Sequence, residues 1–269
     1  MKLFIFLLFI LHLGIYSEEE ILKIYAMVYG KSSYPTELIN SNDGTKYKNI
    51  LWCFYYIETD SKKILVDTGF TEEKYIKGFS IQNYIHPKNL LEAISIKTEE
   101  ISDIIITHSH FDHIGGAYLF PNAKIYINQK ELESFTNQSR FKDYEKVFDI
   151  RKFRNSIIQV GPNYYFSNYL NIYLSGGHTV GSQYIHIKFT EKEFIITGDE
   201  CYLSVECLKG VGLNPKAAFS KYNNTQFLKK INQLYTKNPK LEILTLHDTN
   251  IILNYKQIQN GVIEIYTKK

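Results

Sequence analysis

Asp103-Ile-Ile-Ile106-Thr-His108-Ser-His110-Phe-Asp112-His113-Ile-Gly115-Gly116 is the stretch on which the reading of this chain turns. The apolar run Ile104–Ile106 has the β-branched character of a buried strand. Four potential metal donors follow within six positions, and then two glycines that let backbone approach a neighbour closely. In an extended segment alternate side chains point the same way, so His108 and His110 converge. Asp112 continues that alternation, and His113 points elsewhere as the chain turns. One loop can thereby feed two adjacent metals. Neutral imidazole suits Zn(II), Fe(II), Co(II) or Ni(II), and a carboxylate adds hard oxygen donation and charge balance.

One loop cannot close two sites, so further donors are expected at other strand ends. Three positions qualify. His178 lies in Ser175-Gly-Gly-His178-Thr-Val-Gly181-Ser182, after the strand-like Leu170–Leu174. Asp199 ends Ile195-Ile-Thr-Gly198-Asp199, and His247 ends Ile243-Leu-Thr-Leu-His247. Each follows an apolar run and opens a loop, where sites on rigid scaffolds are usually built. Taken singly, each reads as readily as a capping Asp or a hydrogen-bonded His. His12 falls in the N-terminal apolar segment, His86 in a polar loop before Pro87, and His186 in the strand pattern Tyr184–Lys188. These three read as structural.

The order His-x-His-x-Asp-His, Gly-His, Gly-Asp and a late His resembles the metallo-β-lactamase superfamily, and within it the N-acyl-homoserine lactonase family. Leu51–Thr59 followed by Ile64-Leu-Val-Asp67-Thr-Gly69 is similar to that family's N-terminal hairpin and Asp-Thr-Gly turn. Phe111, Tyr202 and Leu213-Asn-Pro215 also match. The likeness runs over about residues 22–255. Two departures affect loop shape: Leu246-His247-Asp248 stands where the family has Gly-His-Asp, and Val180 where it has Pro. The resemblance implies a four-layer αβ/βα sandwich of two mixed β-sheets with outer helices. It implies that His108, His110 and His178 hold one divalent metal, that Asp112, His113 and His247 hold a second, and that Asp199 bridges them. Zinc suits the set, with iron or manganese as alternatives. The reaction implied is opening of a lactone ring, an N-acyl-homoserine lactone or similar, by a metal-bridging hydroxide. Tyr202 would donate to the carbonyl oxygen, Asp112 would relay a proton to the leaving oxygen, and the role would be quorum quenching. A β-lactamase and a glyoxalase-II-like thioesterase are the competing readings, followed by a non-catalytic exported metal-binding protein.

The chain has 269 residues and a formal charge of +3, enough for one domain with a large core and no footprint for nucleic acid. The partner expected is a small molecule; oligomeric state is unreadable. Residues 1–17 differ in character: Lys2, the apolar run Leu3–Leu13, then Ser17 before three glutamates. That is the pattern of a signal peptide, too short for a comfortable membrane span. It predicts export, with a single domain over 18–269, or a membrane anchor if the segment is retained. Cys53, Cys201 and Cys207 form no framework. Cys201 and Cys207 can pair in an oxidising compartment, but their separation is not legible. Trp52 and Phe111 line an acyl pocket or fill the core, and the sequence does not choose.

Periodicity predicts strands at Leu22–Tyr29, Leu51–Thr59, Lys63–Val66, Asp103–Thr107, Ala123–Asn128, Leu170–Leu174, Gln183–Phe189, Phe194–Thr197 and Glu242–Leu246. It predicts helices at Asn89–Ile94, Lys130–Thr136 and Thr225–Tyr235, and a charged aromatic insertion at Phe141–Arg154. Strands and helices alternating through both hairpins and crossovers suit two mixed sheets with outer helices.

Overall fold

The computed structural model describes residues 20–39, 45–137, 156–190, 192–238 and 240–269. The expected signal segment and the insertion at 141–154 lie outside the described residues.

Strands β1 (Ile21–Pro35), β2 (Tyr47–Thr59), β3 (Lys63–Val66), β4 (Asp103–Ile105), β5 (Lys124–Asn128), β6 (Ile157–Val160), β12 (Lys256–Gln259) and β13 (Val262–Thr267) form one sheet. Its order is β12-β13-β1-β2-β3-β4-β5-β6. The order of the second sheet is β11-β10-β9-β8-β7, from β7 (Asn163–Tyr165), β8 (Leu170–Leu174), β9 (Gln183–Lys188), β10 (Glu193–Ile196) and β11 (Leu241–Leu244). Both sheets are mixed. The first is antiparallel through β3 and parallel from β3 to β6. In the second only β10 and β11 run parallel.

Strand β2 shows why the layers stack as they do. Leu51, Cys53, Tyr55 and Ile57 face the second sheet and join Ile172, Ile185, Phe194 and Leu244 in the core between the sheets. Ile50, Trp52, Phe54 and Tyr56 face the other way, into a core closed by Leu90, Leu91, Phe111 and Ile114. A strand buried on both faces reads as an unbroken apolar run, which is what Leu51–Ile57 is. Those closing residues come from α3 (Pro87–Glu92) and α4 (Phe111–Ile114); the short α1 (Thr36–Ile39) and α2 (Glu73–Gly78) lie earlier in the chain. On the far side, Phe227, Leu228 and Ile231 of α7 (Lys221–Lys237) pack on Tyr184 and Ile195 of the second sheet. The result is the αβ/βα sandwich expected. Helices α5 (Gln129–Asn137), α6 (Ser204–Lys209) and α8 (Asn250–Asn254) complete the set among the described residues.

Some bounds move for local reasons. Helix α3 starts at Pro87 because His86 caps it, its ring accepting from Lys88 N–H at 3.2 Å, and proline suits the first turn. The hairpin β12–β13, not marked by periodicity, extends the first sheet beyond β1; β12 is a largely exposed edge and carries no apolar alternation. His186 sits on a strand face, bonded to Glu193 at 2.6 Å. No helix among the described residues is long and apolar enough to cross a membrane.

Candidate metal centre

Topology gathers the donors at one end of each sheet. Strands β3, β4 and β5 run parallel, and their C-terminal ends deliver Asp67, the 107–113 loop and Glu131. In the second sheet β8, β10 and β11 share one direction, and past their ends lie His178, Asp199 and His247.

The first loop departs from the extended alternation expected for it. His110 is its last extended residue (φ −66°, ψ 154°), and Phe111–Ile114 form the helical turn α4. Asp112 and His113 therefore reach the site from a helix, where neighbouring side chains splay apart. The turn is held by packing: Gly116 N–H donates to Gly69 O at 2.7 Å, and Thr68 N–H to His113 O at 2.8 Å. A Cβ on Gly116 would lie 2.4 Å from Thr68 O, so glycine is required there.

Two clusters result. His108 Nε2 and His178 Nε2 lie 2.9 and 3.0 Å from His110 Nδ1. His113 Nε2 lies 3.3 Å from Asp112 Oδ2, and His247 Nε2 lies 3.7 Å from the same oxygen. Asp199 stands between them. Its Oδ2 faces His108 at 3.9 Å and His178 at 3.6 Å, while its Oδ1 faces His113 at 3.4 Å and His247 at 3.3 Å. All seven residues named for the site are brought together, and their donor atoms form overlapping groups able to hold metal. The atoms themselves argue for cations: His113 Nε2, His247 Nε2 and Asp199 Oδ1 are buried without a hydrogen-bond partner. Buried polar atoms are seldom left so, and a role as donors to a cation is one of the few accounts.

The imidazoles are oriented from behind. His178 Nδ1 meets Ala217 O at 2.7 Å and His247 Nδ1 meets Leu51 O at 2.9 Å, so each carries its proton there and turns Nε2 to the site. His113 Nδ1 meets Asp67 Oδ2 at 2.8 Å, and Asp67 also accepts from Thr107 N–H and Oγ1–H at 2.7 Å each. Glu200 accepts from Gly177 N–H, His178 N–H, Ser182 Oγ–H and Asn224 Nδ2–H. Glu131 accepts from Ser109, Thr179 and Gly181, and Asp248 from Ser204 and Asn250 N–H. Sequence reasoning named none of these four carboxylates as site residues. Asp67 carried a signal in its Asp-Thr-Gly turn; Glu131 carried none.

Burial pulls the His113 ring down, but Asp112, Asp199 and Asp67 outweigh it and hold its pKa well above the ordinary histidine range. His108 goes the other way, far below that range, through burial and its histidine neighbours. Burial raises Asp199, yet His113 and His247 prevail and hold it well below the usual carboxylate range. The His108 side of the centre is thus a crowd of imidazoles, while on the His113 side imidazoles and carboxylates pair.

A cavity of about 220 Å³ opens over Asp112, His110, His178, Asp199 and His247. Tyr34, Trp52, Phe79, Phe111 and Tyr202 supply aromatic wall, and Lys216 is among the lining residues. Trp52 and Phe111 therefore do both things the sequence left open, filling the core and facing the cavity. Tyr202 stacks on His247 with ring centroids 5.2 Å apart and meets His178 edge-on at 6.3 Å. Burial, Asp199, Tyr34 and Asp112 push its phenol well above its ordinary pKa. Cys201, beside it, is disulfide-bonded to Cys207 (Cα–Cα 5.6 Å) and so offers no thiolate to a metal; Cys53 is buried and free.

The model of the metallo-beta-lactamase superfamily matches residues 54–202, more than half the chain. An N-acyl homoserine lactonase of Bacillus thuringiensis is 26% identical over 217 residues, 74% of this chain and 84% of its own. Among solved structures, an N-acyl homoserine lactone hydrolase with its product N-hexanoyl-L-homoserine at the catalytic metal centre superposes with a TM-score of 0.74 at 21% identity. It covers 88% of this chain and 98% of that one. A dizinc quorum-quenching lactonase gives 0.69 at 17% identity, covering 94% and 98%.

Proposed function

The chain belongs to the metallo-beta-lactamase superfamily, and on that premise we propose that it is a dinuclear metal-dependent hydrolase that opens a lactone ring, an N-acyl-homoserine lactone or a close analogue. The observation that carries the reading is Asp199, whose two oxygens face two separate histidine clusters while Tyr202 stands over the same centre. In this reading His108, His110 and His178 would hold one ion and Asp112, His113 and His247 the other, with Asp199 shared between them. The donor set suits zinc, and iron or manganese fit the same oxygen and nitrogen atoms. Two such ions supply Lewis acidity toward an ester and lower the pKa of water to about 7.

The chain's own residues do the rest. Tyr202 keeps its proton and donates to the ester carbonyl oxygen as charge gathers there. Asp112, which lines the cavity beside His113 and His247, would take a proton from the attacking water and pass it to the departing ring oxygen. Trp52, Phe79 and Phe111 take the acyl chain and exclude water. The lactonase similarity favours a cyclic ester over the amide of a β-lactam or the thioester of a glyoxalase-II-like substrate. The test is a hydrolysis panel on zinc-loaded protein: acyl-homoserine lactones, a cephalosporin reporter and S-lactoylglutathione. Lactones should turn over fastest; fast turnover of either competitor with lactones at background replaces this reading.

Export belongs to the same proposal. The Cys201–Cys207 disulfide is a crosslink that persists in oxidising compartments, in keeping with the apolar N-terminal segment. Mass spectrometry of protein recovered from the native cell should find a chain beginning near Glu18, and an intact Met1 in the cytosolic fraction would refute it.

A further inference from the structure

We infer that Glu131, on a helix that contributes no metal donor, is a positioning residue for one metal site only: it locks the His108–His110 loop to the His178 loop. The inference rests on the reading above, in which those three histidines share an ion. Glu131 is buried at 2% exposure. Its Oε1 accepts from Ser109 N–H at 2.8 Å and Ser109 Oγ–H at 2.6 Å. Ser109 is the residue between the two histidines. Its Oε2 accepts from Thr179 Oγ–H at 2.7 Å and Gly181 N–H at 3.0 Å. Thr179 follows His178 directly.

One carboxylate thus takes four donors, two from each loop, and these loops come from different sheets. Both oxygens are occupied as acceptors, so neither can serve as a donor, and an amide cannot replace the group without setting N–H against N–H. The contact is close as well as polar: a Cβ on Gly181 would fall 2.2 Å from Glu131 N. The rest of the centre is held separately. Asp67 orients His113, and Leu51 O orients His247. Glu131 makes none of those bonds, so its removal should spare the second cluster.

The experiment is a stepwise chelator titration of zinc-loaded protein, following bound metal and melting temperature. His178→Ala and His247→Ala identify which release step belongs to which cluster. Glu131→Gln should weaken the His178 step by roughly 10–100-fold and leave the other within about twofold. Thr179→Val, which removes one donor of the four, should weaken the same step by less and serves if the Gln variant does not fold. Equal weakening of both steps, or neither, overturns the inference. If His178→Ala itself changes no release step, the assignment of the histidines to the metal fails instead.

Discussion

Asp199 shows what one residue can decide. A carboxylate has two oxygens, and here each addresses a different histidine cluster. The residue type and its position at a strand end were legible from Ile195-Ile-Thr-Gly-Asp199; the division of its oxygens was not, because it depends on how two sheets meet. Tyr202 is the neighbouring case. Its place three residues after Asp199 was visible, but its stacking on His247 is a product of tertiary packing. Tyr202→Phe should lower kcat on a lactone by about 10²-fold, the lower end of the loss when an oxyanion donor is removed, with metal content unchanged by elemental analysis. An unchanged kcat would return Tyr202 to mere wall. Burial is the largest cause holding the phenol above its ordinary pKa, so Tyr202 is a hydrogen-bond donor at neutral pH.

At the scale of elements, the site depends on short turns more than on long strands. Periodicity found β3 and β8 at their observed bounds and found the strand into the metal loop, because buried apolar runs announce themselves. It placed Asp112 on an extended continuation, and the four residues Phe111–Ile114 are helical instead. A single turn of helix carries no period to read; what forms it is the grip of the Asp67-Thr-Gly69 turn on His113 O and Gly116 N–H. Gly116→Ala tests this. The added methyl meets backbone on the opposing turn, which cannot yield as a side chain could. The expected cost is about 1–3 kcal/mol, read by denaturant melts, with weaker metal retention through displaced Asp112 and His113. Wild-type stability and metal retention in that variant would mean the two turns are not in such close register. Leu246 is a departure explained at the same scale. Where the family has glycine, this side chain is fully buried between the sheets, so the change fills core and leaves His247 in place.

Over the whole molecule, tyrosine sets a limit. The chain holds 22, and burial raises the phenols of Tyr29, Tyr55, Tyr56, Tyr84, Tyr126, Tyr184, Tyr202 and Tyr255 above their usual pKa. In the unfolded chain these groups lose protons near pH 10; in the fold they keep them. The unfolded state therefore binds fewer protons above that pH, and stability falls as pH rises. The stability these groups contribute is fully present below pH 10 and is lost progressively above it. Melting temperature should be nearly level from pH 8 to 9.5 and drop steeply beyond, and the part of the phenolate absorbance that belongs to these buried rings should appear only in step with unfolding. Full phenolate absorbance while the chain is still folded would show these rings to be open to solvent.

The division of donors between the two sheets has one more consequence. His108, His110, Asp112 and His113 ride on the first sheet, and His178, Asp199 and His247 on the second. Ions held there, as proposed, would act as keystones between two slabs that otherwise meet through apolar contact and bonds such as Gln183 N–H to Thr107 O. Loss of metal would then also loosen the sandwich, so the protein's heat resistance should rise with free divalent metal by mass action, and a cell short of the metal would hold a softer enzyme as well as a slower one.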